Sequence, residues 1–231
     1  MVLIPIYGWA KYSAISALIS RLAFGEVREK PETVSDARRE VNPRMWSFFG
    51  AGILTFLIYF GVSLVGGIAM AILAGGAGAI FGQNYVVTAA FMVVAVIAFL
   101  IIYIRIISRL LIVELPLAIE NNIGASSAIA RSWKLTKGSV GRIQWIVFVG
   151  ILVSLPISIV GQILTTIVQS VLRAVLEPES GMFYLVYFLL ILPLSFGIGA
   201  LVTPFWQAMK AIIYYDLRSR KEGLGLQIRD R

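Results

Sequence analysis

The sequence predicts an all-α protein, a polytopic bundle of helices that span a membrane. The chain is 59% hydrophobic and only 14% charged, whereas an average soluble domain carries about 25% charged residues. The stretch Met45–Ile104 contains no charged residue and, at about 60 residues, has room for two spans and a turn. Two further uncharged stretches, Ile143–Leu172 and Ser180–Met209, follow it. We therefore predict five spans.

The first predicted span, about Ile4–Phe24, is the weakest because Lys11 interrupts it and Arg21 lies near its end. Small residues recur along it at helical spacing, which predicts either close packing against another helix or simply an alanine-rich helix. They are Ala10, Ser13, Ala14, Ser16, Ala17 and Ser20.

Two short amphipathic helices are predicted at the membrane surface. Within Glu26–Arg44, three apolar residues fall on one helical face, and the segment Ala125–Leu135 repeats this pattern before Thr136-Lys137-Gly138 ends it. The apolar residues of the first are Val34, Ala37 and Val41.

The longer uncharged stretches hold the other four spans. Span two runs from near Trp46 to before Gly75, and span three runs from near Tyr85 to about Ile104, after which Pro116 is expected to break the helix. Spans four and five contain prolines and exceed the minimum length for crossing, so we expect tilting or kinking. Residues 1–217 form the predicted transmembrane domain, and residues 218–231 form a charged cytoplasmic tail.

An internal repeat relates residues 4–80 to residues 85–175, and a final span follows. Ile19-Ser20-Arg21-Leu22 returns as Ile107-Ser108-Arg109-Leu110, and Ala37-Arg38 returns as Ala130-Arg131. One unit is a span, a surface helix and a return span. Because the period is two spans, the copies have the same orientation, which makes this a parallel repeat.

The distribution of Lys and Arg predicts the orientation. The basic segments Glu26–Arg44 and Glu114–Arg142 and the C-terminal tail lie on one side in the five-span arrangement, and the loop Gly75–Asn84 has no charge. By the positive-inside rule the basic side is cytoplasmic. We expect a bacterial cytoplasmic or internal membrane, with the N-terminus outside and a further span preceding residue 1.

The chain has no Cys and no His, so we expect no catalytic residue, metal site or cofactor. The net charge is +8, which we attribute to topology and anionic phospholipid rather than to nucleic acid. Six basic residues are the candidates for binding lipid or a protein partner. The alternative is that they only set the topology, with Arg105, Arg109 and Lys210 extending to the headgroups. The six are Arg105, Arg109, Arg131, Lys134, Lys137 and Arg142.

Two stretches carry a family resemblance. The first combines Pro116-Leu-Ala-Ile-Glu120, Ala128-Ile-Ala-Arg131-Ser132 and Leu135-Thr136-x-Gly138, and the second runs from Pro204 through Tyr214-Tyr215-Asp216-Leu217-Arg218 to Glu222-Gly223. Together they resemble the membrane domain of some bacterial glycerophosphodiester phosphodiesterases and its stand-alone relatives of unknown function. The likeness covers roughly residues 100–225 well and the first half loosely.

The resemblance implies about six spans and a phospholipid context, but no activity. In the fused proteins the hydrolase chemistry belongs to a separate soluble domain with His and acidic metal ligands, and this chain has no His. Relatives often have an acid soon after the Glu-Gly pair, where this chain has Gly225-Leu226.

Three functions remain open at this point. The leading prediction is a non-enzymatic module that organises lipid or docks protein partners, including further copies of itself. The alternatives are a transporter or lipid-translocating protein and an intramembrane enzyme. A cavity at mid-bilayer lined by Ser, Thr or Gln would favour transport, whereas a closed apolar bundle with an exposed basic face would favour docking.

Overall fold

The computed structural model describes residues 3–82, 84–120, 123–178 and 180–223, and within these ranges it contains helices and no strand. A short 3-10 turn, Asn42–Arg44, connects the second helix to the third. The helices are α1 Leu3–Val27, α2 Val34–Val41, α3 Met45–Phe81, α4 Tyr85–Leu110, α5 Glu114–Ile119, α6 Ala125–Thr136, α7 Val140–Val175 and α8 Gly181–Glu222.

Four helices, α3, α4, α7 and α8, are long and apolar enough to cross a membrane. They correspond to predicted spans two to five. The helix α1 has 25 residues, but it does not join them, because Lys11 and the serines on its buried face lower its hydropathy. In their most apolar parts the four long helices have between 0% and 11% of their residues buried, as expected of surfaces that face lipid.

The four long helices form two antiparallel hairpins. In the first, Phe99 of α4 packs on Gly66 of α3, where a Cβ atom would meet the Phe99 ring at 2.0 Å. In the second, Gly150 of α7 packs against Met209 of α8, and Gly161 packs against Ile198. Glycine at these places lets the two backbones of each hairpin approach closely.

The helix α1 runs parallel to α8 and packs against both α8 and α3. Ser16 and Ser20 lie at the level of Gln207, and Phe24 lies at the level of Tyr214, with ring centroids 5.5 Å apart. At 1.5 Å of rise per residue, the N-terminus of α1 therefore lies about 17 Å closer to the C-terminal end of α8 than the N-terminus of α8 does. The predicted small-residue face is buried, with Ala10, Ala17 and Ser20 fully inaccessible.

Side-chain caps and glycines set the helix boundaries. Thr33 accepts a hydrogen bond from the amide of Asp36 at the start of α2, and Ser180 accepts one from Phe183 at the start of α8. Gly138 has φ of +82° two residues after the end of α6, and Gly223 has φ of +65° directly after α8. Both are left-handed conformations that glycine adopts without a steric penalty.

Three predicted boundaries differ in the structure. Span two is expected to end before Gly75, but α3 continues through Gly75, Gly76 and Gly78 to Phe81, because a helix satisfies the backbone hydrogen bonds of these glycines where no water is at hand. The helix α4 already ends at Leu110, so Pro116 does not break it. Pro116 instead lies in the first turn of α5, where a backbone N–H has no partner within the helix and its absence costs no hydrogen bond. The helix α8 also continues past residue 217, the predicted end of the membrane domain, to Glu222. The remainder of the predicted tail, residues 224–231, lies outside the described residues.

The core lies at one end of the bundle. Two clusters of buried residues join α1, α5, α6 and the C-terminal part of α8 to the adjoining ends of α3, α4 and α7. We call this the charged end, since α2, α5, α6 and residues Lys210–Glu222 supply most of the ionic residues there. The five helices α1, α3, α4, α7 and α8 are neighbours in that order, and α8 contacts α1 to complete a ring.

Candidate functional site: a basic groove and a polar interior cavity at the charged end

A basic groove lies between α3, α4 and α6 at the charged end. It has a volume of about 640 Å³. Three of the predicted site residues, Arg109, Lys134 and Lys137, line it, and within the described residues its lining contains no acid. The guanidinium carbon of Arg109 lies 4.4 Å from the centroid of the Trp133 ring, a cation–π contact. The apolar part of the lining is Ile58, Leu110, Ile129, Ala130 and Trp133.

The sequence of α6 explains why the groove is basic on one side and closed on the other. Ala128, Ser132 and Leu135 are buried against the bundle, whereas Lys134 and Lys137 are exposed. Ser132 fastens α6 to the end of α4 by donating a hydrogen bond to the Arg109 carbonyl at 2.6 Å. Helical spacing therefore places Lys134 on the outer face, and Lys137, the residue that follows α6, lines the same groove with Arg109.

Residues from the two stretches that carry the family resemblance meet in one hydrogen-bonded network. Glu120 Oε1 accepts hydrogen bonds from the Tyr214 hydroxyl at 2.5 Å and from Arg131 Nε at 3.0 Å. Arg131 also lies 2.6 Å from Glu222 Oε1, and Glu222 pairs in turn with Arg218 at 2.9 Å. The network connects α5, α6 and α8, which are distant in sequence.

The electrostatics of this network keep Arg131 charged. Partial burial lowers the pKa of its guanidinium, but the hydrogen bond and negative charge of Glu120, with the charge of Glu222, outweigh burial and raise that pKa above its ordinary value. Arg131 is thus held by two carboxylates, and it does not line the groove.

The structure separates the six predicted residues into different settings. Arg109, Lys134 and Lys137 share the basic groove. Arg131 belongs to the network above, and Arg142 lies 3.2 Å from Asp216 of α8. Arg105 is exposed one turn before Arg109 and lies outside the groove. The sequence missed Lys221, whose ammonium donates to the carbonyl oxygens of Lys134 and Lys137 at the C-terminal end of α6.

A second cavity, of about 410 Å³, lies between α1, α3, α8 and the segment that joins α4 to α5. We call it the interior cavity. Its polar residues are Ser13 and Ser16 of α1, Thr55 and Tyr59 of α3, Gln207 of α8, and the ion pair Glu114–Lys210. Its apolar residues include Trp9, Tyr12, Phe48, Ala51, Gly52 and Phe56.

An ion pair lies in this cavity. Lys210 Nζ donates to Glu114 Oε1 at 2.7 Å, and the side chains are 19% and 24% exposed. Gln207, only 4% exposed, donates to the Ser16 hydroxyl and accepts from the Ser20 hydroxyl at 2.8 Å.

The prediction that Lys210 only extends to the headgroups missed this pair. The partners are far apart in the chain, and nothing in the local sequence of either marks the other. A hint was present in the small-residue face of α1, since all three serines of that helix belong to it.

The fold and these two sites define a class of protein. The four long apolar helices indicate a multi-pass membrane protein, and within the described residues no group of His, Cys, Asp or Glu is placed to hold a metal ion. No protein-family model, curated protein or solved structure matches the chain.

Proposed function

We propose that this protein is a non-enzymatic membrane module that binds anionic phospholipid at the basic groove of its charged end. The observation that carries the proposal is the groove itself, in which Arg109, Lys134 and Lys137 lie beside an exposed tryptophan and aliphatic side chains. Phosphate oxygens would contact the cations, and the glycerol and upper acyl region would contact the apolar lining. This is the chemistry of a lipid headgroup at a membrane interface.

The proposal includes the orientation. The charged end faces the cytoplasm of a bacterial cell, because the basic segments collect there and the opposite loop at Gly82 and Asn84 is uncharged. The resemblance to the membrane domain of glycerophosphodiester phosphodiesterases supports a phospholipid context, and membership of that group is part of the proposal.

The magnitude of the electrostatic contribution sets the test. The contact of an exposed Lys with one lipid phosphate contributes up to about 1 kcal/mol, so replacing both Lys134 and Lys137 by Gln removes up to about 2 kcal/mol, or roughly 30-fold in affinity. The measurement is native mass spectrometry of the purified protein in mild detergent, titrated with phosphatidylglycerol. Salt should weaken the binding.

A matched control separates a specific groove from general positive charge. Arg38 and Arg39 lie on α2 at the same end and are exposed, so replacing both by Gln removes the same charge. We expect this variant to bind phosphatidylglycerol like the unchanged protein. If the two double variants lost the same affinity for phosphatidylglycerol, the cations of the groove would act only through general positive charge, which would contradict the proposal.

The alternative function is lipid translocation or transport. The interior cavity supports it, because Ser13, Ser16, Thr55 and Gln207 contribute polar groups to its lining. The cavity lies toward the charged end, whereas the alternative calls for a polar path at mid-bilayer. A dithionite assay with fluorescent lipid in reconstituted vesicles tests it, and transfer of lipid between leaflets above the empty-vesicle rate would favour this function over docking.

A further inference from the structure

We propose that the interior cavity binds the headgroup of one zwitterionic phospholipid, which enters sideways from the bilayer between α1 and α3. This site is separate from the basic groove and differs from it in charge, depth and ligand. Its volume of about 410 Å³ falls within the range of small-molecule pockets, roughly 300–1,000 Å³. It can therefore hold a headgroup while the acyl chains stay in the bilayer.

The charges in the cavity indicate a ligand that has one positive and one negative group. Glu114 and Lys210 are the ionic residues of the lining, so its net charge is zero. A ligand with net charge would leave an uncompensated charge in a poorly solvated site, which is costly. A zwitterion instead places its ammonium by Glu114 and its phosphate by Lys210.

Both members of the pair have capacity left for a ligand. Lys210 has three donors, one of which serves Glu114. Glu114 Oε2 has only a long contact of 3.5 Å from the Ser16 hydroxyl, which leaves it able to accept from an ammonium. Trp9 and Tyr12 line the same cavity, and aromatic faces also attract ammonium groups.

The rim of the cavity indicates the route. Tyr12 and Phe56 line it and yet are 58% and 56% exposed, so the cavity reaches the outer surface of the bundle between α1 and α3. That surface continues into the apolar faces of the long helices. A lipid can thus reach the Glu114–Lys210 pair with its chains always in contact with the bilayer.

The test fills the cavity without touching the ion pair. A Cβ atom at Gly52, which lines the cavity, meets nothing within 4 Å, and the same holds for Gly67, which lies further along α3 and outside the lining. We expect Gly52→Phe to lower the binding of phosphatidylethanolamine by about tenfold or more, because the phenyl ring occupies the space of the headgroup and the displaced headgroup loses at least one charged hydrogen bond. Gly67→Phe should bind like the unchanged protein.

The assay is native mass spectrometry of the full chain in mild detergent with equal amounts of phosphatidylethanolamine, phosphatidylglycerol and diacylglycerol. The Lys134→Gln/Lys137→Gln variant should keep its phosphatidylethanolamine, so failure here and failure of the groove are distinguishable. Equal binding by Gly52→Phe and Gly67→Phe, or a preference of the unchanged protein for diacylglycerol, would overturn the inference.

Two further measurements examine charge and route. Glu114→Gln leaves Lys210 uncompensated, so the preference should shift from phosphatidylethanolamine towards phosphatidylglycerol, a change that a merely structural ion pair would not produce. Soluble glycerophosphoethanolamine should displace the lipid only in large excess. Displacement at equimolar concentration would overturn the sideways route in favour of a soluble zwitterion.

Discussion

The hydrogen bond from Tyr214 to Glu120 should be a measurable contributor to the stability of the charged end. The Tyr214 side chain is completely buried, and its hydroxyl lies 2.5 Å from Glu120 Oε1. Hydrogen bonds to charged groups contribute about 1.5–3 kcal/mol. Because the Glu120 side chain is 19% exposed, water can partly replace the hydroxyl, and we expect Tyr214→Phe to lower the free energy of unfolding by about 1.5 kcal/mol.

The neighbouring tyrosine provides a matched control. Tyr215 is half-buried, and within the described ranges its hydroxyl has no hydrogen bond to another side chain. We expect Tyr215→Phe to change the free energy of unfolding by less than about 0.5 kcal/mol. Unfolding is measured in mixed micelles by titration with sodium dodecyl sulfate.

A double-mutant cycle then assigns the loss to the pair. Tyr214→Phe and Glu120→Ala should be non-additive, with a coupling energy of about 1 kcal/mol, since each removes the hydrogen bond between the two side chains. Additive effects, or a Tyr214→Phe variant as stable as Tyr215→Phe, would refute the view that this hydrogen bond holds α5 to α8.

Three further outcomes are expected. Gly66→Ala should lower the free energy of unfolding by about 1–3 kcal/mol relative to Gly67→Ala, because only the first forces a methyl group into the Phe99 ring; equal stability of the two variants in the same titration would contradict this close approach. The purified protein should show no metal-dependent phosphodiesterase turnover, and activity abolished by a chelator would contradict that expectation. In intact cells, an impermeant maleimide should label a cysteine at Asn84 but leave cysteines at three charged-end positions unlabelled, and labelling of both groups from outside would refute the proposed orientation. The three are Ser35, Ser126 and Glu222.

The sequence alone determined the long helices. The uncharged stretch Met45–Ile104 contains α3 and most of α4, as predicted, although the turn between them lies at Gly82 and does not begin at Gly75, and Ala125–Leu135 is a short helix followed by Gly138. These features depend on local composition, since the bilayer selects apolar stretches of sufficient length and glycine permits a left-handed residue wherever it stands. The limit of this reasoning is α1, because the role of its Ser16 and Ser20 is clear only from their hydrogen bonds with Gln207 of α8.

Only the tertiary structure decided which polar groups meet. Nothing near Lys210 in the chain shows that it pairs with Glu114, or near Tyr214 that it contacts Glu120. The spacing of Arg131 and Lys134 also does not show that Arg131 pairs with Glu120 and Glu222 while Lys134 lines the groove. Such pairings depend on which helices are neighbours and how they are rotated. Those choices are set by packing over the whole bundle, such as the contact of α1 with α8, and not by the residues adjacent in sequence.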